Sequence, residues 1–67
     1  MRGEDVKAWR EAHNLTQRRL AVLLDVDPVT VYRWERGVRQ PPGRMLELTL
    51  RGLEAELAER EKAERPS

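Results

Sequence analysis

The sequence predicts an all-α fold, a compact bundle of four to five helices. Three observations lead there. Apolar residues recur three and four apart along most of the chain, the spacing of one helix face. No run of alternating β-branched residues is present. The strong breakers (Asn14, Asp25 to Pro28, Gly37 and Pro41-Pro42-Gly43) fall between the periodic segments.

The first helix is expected from Glu4 to His13, with Glu4 and Asp5 in its first turn favouring the positive end of the helix dipole. Val6, Trp9, Arg10 and His13 share one face, and Asn14 is a C-terminal stop. Trp9 reads as core and His13 as a helix-end residue. The second helix is expected from Gln17 to Leu24. Thr16 is its N-cap, because its hydroxyl can accept a free first-turn N–H. Leu20, Leu23 and Leu24 form its buried stripe, beside the small Ala21. The third helix is expected over residues 28–36. Asp27 caps it, Pro28 takes the first helical position, where a missing N–H costs nothing, and Gly37 stops it. Val31 and Trp34 face inward. Helical pattern resumes at Arg44 and runs to Glu64, with Met45, Leu46, Leu48, Leu50, Leu53 and Leu57 on its apolar side. Gly52 could divide this stretch in two, since glycine costs about 1 kcal/mol in a helix interior.

A chain of 67 residues makes one domain with a small core. We expect that domain over residues 1–57 and a charged, fraying helical tail over residues 58–67. There is no cysteine and one histidine, which rules out a disulfide and a Cys- or His-based metal site, so no metal and no cofactor are expected. No apolar run approaches the ~20 residues of a membrane span, and the charged start is unlike a signal peptide, so a cytoplasmic protein without a membrane partner is expected. The net charge of +1 conceals an asymmetry. Six arginines face three acids between Thr16 and Arg44, whereas six glutamates outnumber four cations from Met45 onward. The middle of the chain is the part suited to a polyanion.

The second and third helices, joined by Leu24-Asp25-Val26-Asp27, suit a helix-turn-helix, whose second helix enters the DNA major groove. Ala21 falls where the two helices come closest. Leu20, Leu24, Val26, Val31 and Trp34 would close a core between them. The residues Leu15-Thr16-Gln17, Leu20-Ala21, Thr30-Val31-Tyr32-Arg33-Trp34-Glu35-Arg36-Gly37 and Pro41 resemble the lambda-repressor-like (Cro/XRE-type) family of DNA-binding domains. The resemblance covers roughly Val6 to Leu57 and implies a compact bundle and a double-stranded DNA partner.

It also implies roles. Pro28, Val29, Tyr32 and Arg33 would face base edges. Gln17, Arg18, Thr30, Arg36, Arg39, Gln40 and Arg44 would follow the phosphates. Arg10 and Glu35 would form a partly buried ion pair that fixes the recognition helix. Two departures matter. Asp25 stands where the family usually has glycine, at a turn position that Asp can occupy in the left-handed conformation. Pro28 and Val29 stand where polar readers are common. Neither side chain donates a hydrogen bond, although Val29 can pack on a thymine methyl group. Hydrogen-bonded reading would then fall to Arg33, on a guanine, with Tyr32 assisting.

Leu46, Leu50, Leu53 and Leu57 are spaced four, three and four, which fits both core packing and a heptad seam. Leu50, Leu53 and Leu57 are therefore candidates for a homodimer. The leading expectation is a sequence-specific transcriptional regulator, as a phage- or plasmid-type repressor or an antitoxin. The competing one is a protein-interaction module, with the last helix binding a toxin or RNA polymerase. No nucleophile–base pair, phosphate-cradling loop or metal cluster points to an enzyme, and no small-molecule ligand is expected.

Overall fold

The computed structural model describes residues 1–64. It contains four helices, α1 (Gly3–Ala12), α2 (Gln17–Leu24), α3 (Pro28–Glu35) and α4 (Gly43–Glu64), and no strand among the described residues.

Each of the first three helices is bounded by local chemistry. The α1 helix starts one residue earlier than expected, because the Asp5 carboxylate accepts the Arg2 N–H at 2.8 Å and closes the first turn around Gly3. It ends one residue earlier, with His13 as the C-cap and Asn14 left-handed at φ 55°. The Thr16 hydroxyl accepts the Arg19 N–H at 3.0 Å and caps α2. Asp25 ends α2 in the left-handed conformation, φ 57° and ψ 44°, so it performs the turn usually left to glycine. The Asp27 carboxylate accepts the Val29 N–H at 2.8 Å and caps α3, and Pro28 occupies its first turn. The α3 helix ends at Glu35 rather than Arg36. Arg36 is its C-cap, and Gly37 reverses the chain at φ 75°.

The last helix is one rod of 22 residues, and Gly52 does not break it. Two features carry the helix through that glycine. Leu46 and Leu50 anchor the preceding two turns in the core, and Arg51 bonds Glu47 one turn back at 3.1 Å. The tail expected at residues 58–67 is helical as far as Glu64, and residues 65–67 lie outside the described residues.

The core is Val6 from α1, Leu20 and Ala21 from α2, Val31 and Trp34 from α3, and Leu46 and Leu50 from α4. Met1, Trp9, Leu15, Leu24, Val26 and Leu53 pack against it half-buried. Two expectations for α4 need correction. Met45 and Leu48 are 76% and 54% exposed and lie off the apolar side that packs. Leu50, expected to serve a dimer seam, is 1% exposed and is consumed by the domain's own core. Of that seam, Leu53 and Leu57 remain half-buried. Beyond Leu53, every described side chain of α4 except Leu57 is exposed, so the helix runs out past the body of the domain.

Gly3 allows the closest approach between α1 and α3. A Cβ there would fall on the carbonyl oxygen of Trp34 and within 3.2 Å of the Glu35 Cα, both backbone atoms. A Cβ at Gly52 would meet nothing. Gly3→Ala is therefore expected to lower stability by about 1–3 kcal/mol, through forced displacement of α1. Gly52→Ala is expected to raise it by about 1 kcal/mol, or about 4–8 °C in Tm for a domain of this size. Thermal unfolding followed by circular dichroism measures both, and equal Tm shifts of the same sign would contradict the packing described.

Candidate nucleic-acid interface

The geometry of α3 is set from behind. Glu35, its last residue, is 4% exposed at the side chain and meets Arg10 of α1, itself 14% exposed. The pair is bidentate: Arg10 Nε donates to Glu35 Oε2 at 2.8 Å and Nη2 donates to Oε1 at 2.9 Å. The third guanidinium nitrogen donates to the Leu15 carbonyl at 2.9 Å, in the connection between α1 and α2. Gln17, the first residue of α2, donates from Nε2 to Glu35 Oε1 at 3.2 Å. One carboxylate and one guanidinium thus tie three helices together. Burial by itself disfavours ionised Glu35, but the hydrogen bonds from Arg10 and Gln17 and the Arg10 charge together outweigh it, and the carboxyl sits below its ordinary range. The hydrogen bond to Glu35 raises the Arg10 guanidinium in turn, against desolvation.

The opposite side of α3 is open. Val29, Tyr32, Arg33 and Arg36 recur at the spacing of one helix face, and all four are exposed. The Arg36 guanidinium lies 5.8 Å from the centre of the Tyr32 ring, a cation–π distance. Pro28 is exposed at the helix start, and Thr30 is half-buried. Arg18, Arg39, Gln40 and Arg44 are exposed. Gln17 differs from the expectation of a free phosphate ligand: it is half-buried on Glu35, with a second amide hydrogen left over.

Arg39 and Gln40 line a cleft of about 420 Å³ together with Arg2, Trp34 and Pro41. Arg44 lies apart from them, in a second cleft with Met1, Glu47 and Arg51. Sequence reasoning did not single out Arg2. It precedes the first helix, outside any periodic pattern, and only the approach of Gly3 to Trp34 carries it to Arg39.

Two short helices joined by a left-handed turn, with the second braced inward and cationic outward, form a helix-turn-helix. A helix-turn-helix family model matches residues 6–60 of the chain, which is most of its length. The chain belongs to this family. It is the Cro/C1, lambda-repressor-like type of helix-turn-helix, a family of DNA-binding domains. No curated protein and no solved structure matches the chain. In this helix-turn-helix domain, α3 stands at the place of the recognition helix. Among the described residues no group of His, Cys, Asp or Glu could hold a metal ion, and no helix is long and apolar enough to cross a membrane.

The brace gives the helix-turn-helix domain a pH dependence. Glu35 titrates lower in the folded chain than in the unfolded one. Its contribution to stability is therefore fully present above the ordinary glutamate range and is lost as pH falls through the depressed folded value. The stability gap between wild type and Glu35→Gln, read from urea unfolding, is expected to be widest at neutral pH and to close on acidification. A gap of constant width would show that the ionised carboxylate adds nothing. Arg10→Ala strands a buried carboxylate and is expected to cost about 3–5 kcal/mol at neutral pH.

Proposed function

We propose that the protein is a sequence-specific DNA-binding transcriptional regulator that acts in the cytoplasm as a repressor of the phage or plasmid kind, or as an antitoxin. It is read as a binding protein, not an enzyme. The observation that carries this reading is the outer face of α3. Val29, Tyr32, Arg33 and Arg36 point away from the core at a helix fixed by a partly buried ion pair. Placed in the major groove, this face sets Pro28, Val29, Tyr32 and Arg33 against base edges, with Arg33 on a guanine.

The phosphates would be held by Arg18, Thr30, Arg36, Arg39, Gln40 and Arg44, and by the spare amide hydrogen of Gln17. Arg2 joins them through the cleft it shares with Arg39. A homodimer completes the reading, since paired domains address two-fold operators. With Leu50 committed to the core, Leu57 is the residue of the seam left for a second copy, with the outer edge of Leu53 beside it.

One observation favours a second reading. The α4 helix carries exposed Met45 and Leu48 on its surface and continues past the domain body as a mostly acidic rod. A protein-interaction module would use that helix for a partner such as a toxin or RNA polymerase, and the helix-turn-helix as its scaffold.

Mobility shift with a duplex selected from a random pool separates the two. Arg33→Ala is expected to abolish sequence preference. Arg39→Ala is expected to weaken all sequences alike and to reduce the salt slope by about one. Indifference to both changes, with no steep salt dependence in the wild type, would favour the interaction module. Leu57→Asp is expected to leave the domain folded, because Leu57 lies outside the core, and to convert a dimer to a monomer in light scattering. An unchanged mass would remove the α4 pairing.

A further inference from the structure

The backbone of the first turn of α3 offers base edges no free hydrogen-bond donor. Pro28 has no N–H. The Val29 N–H is held by the Asp27 carboxylate at 2.8 Å, and the Thr30 N–H by the Asp27 carbonyl at 2.9 Å. The side chains of Pro28 and Val29 cannot donate either. What this end of the helix presents is apolar surface. Val29 is 50% exposed and Tyr32, one turn later on the same face, is 48% exposed. One turn beyond Tyr32, the Arg36 guanidinium lies over the ring, 5.8 Å from its centre.

In a helix-turn-helix complex the N-terminal residues of the recognition helix meet base edges. The apolar feature on those edges in the major groove is the C5-methyl group of thymine. A methyl at C5 of cytosine projects from the same ring position. We propose that Val29 and Tyr32 form a seat for the C5-methyl group of a pyrimidine, so that the protein reads thymine and 5-methylcytosine alike and distinguishes both from uracil and unmodified cytosine. This rests on the DNA-binding reading above and names the chemistry that its specificity uses. The charge around the seat selects DNA over an apolar protein surface. Arg33 and Arg36 share the face, and an apolar partner would desolvate both guanidinium groups without an anion to pair them.

The test uses the full chain and a duplex obtained by selection from a random pool. Each thymine of the selected site is replaced singly by uracil, which removes only the methyl. At one or more positions in each half-site the affinity is expected to fall about fourfold, the factor that corresponds to about 0.8 kcal/mol for one buried methyl-sized group. Placing 5-methylcytosine, but not cytosine, opposite guanine at that position is expected to recover most of the methyl's share. Val29→Ala, which lies outside the core, is expected to bring the thymine-to-uracil ratio towards one.

The seat is refuted if every uracil duplex binds as tightly as its thymine parent, or if Val29→Ala keeps the full ratio. A chain that binds DNA with steep salt dependence and shows no such ratio loses the seat alone. A chain that shifts no duplex loses the DNA-binding reading as well.

Discussion

The contact between Arg10 and Glu35 fixes where everything else in the domain stands. Desolvating a carboxylate and a guanidinium is expensive, and the expense is recovered only when the geometry is good and the remaining hydrogen-bonding capacity is used. Here both carboxylate oxygens are engaged, one of them twice, and the guanidinium nitrogen that Glu35 does not take reaches the Leu15 carbonyl. The four bonds join four pieces of chain. The helix that carries Arg10, the turn at Leu15, the start of α2 at Gln17 and the end of α3 must all be in register for the whole set to form. The close passage of Gly3 over the Trp34 carbonyl follows from this arrangement, because α1 is drawn onto the end of α3 with no room for a side chain. The pair has an electrostatic consequence too. Glu35 is the one acid between Asp27 and Glu47, and its charge is neutralised on the inner side. The outward charges of α3 and the loop after it are then all positive.

Such a brace matters because the core is small. The buried hydrophobic cluster holds seven of the described residues, drawn from four helices, and α2 and α3 have eight residues each. Helices that short are marginal in water by themselves. The chain compensates at their ends. Thr16 and Asp27 satisfy first-turn donors, and Asp25 and Gly37 supply the left-handed residues that close the final turns. Leu20, Ala21, Val31 and Trp34 then have only to bury two faces that are already nearly in place.

These local devices are why so much was legible in the sequence. Caps, the left-handed Asp25, the proline at the start of α3 and the inward spacing of Val31 and Trp34 are properties of a few neighbouring residues, and the structure has them where the pattern put them. The partnership of Arg10 with Glu35 is not local. It came from resemblance rather than from spacing. What sequence patterns left open needs knowledge of distant chain. Gly52 looks like a break until Leu46 and Leu50 are seen anchored on one side of it. The leucines of α4 satisfy a core and a seam equally, and only the position of α1 to α3 decides that Leu50 belongs to the core while Leu57 does not. Gln17 has the composition of a phosphate ligand, but its distance from Glu35 makes it part of the brace.

If the outer face of α3 reads DNA as proposed, its separation from the inner brace divides the ways in which substitutions act on binding. A recognition helix of eight residues holds its shape only while its supports hold. The observed dissociation constant of such a domain is therefore the intrinsic one divided by the fraction of molecules that are correctly folded. Weakening Arg10 or Glu35 changes that fraction and leaves the outward side chains alone, so affinity would fall by the same factor for every duplex with the salt slope fixed. On the proposed reading, changing Val29, Tyr32 or Arg33 does the reverse: the folded fraction would hold and the ratio between duplexes would move. Ligand added in excess recovers the first kind of loss, because binding draws the population back to the folded state. It cannot recover the second, since no concentration of DNA restores a discrimination that the surface no longer makes.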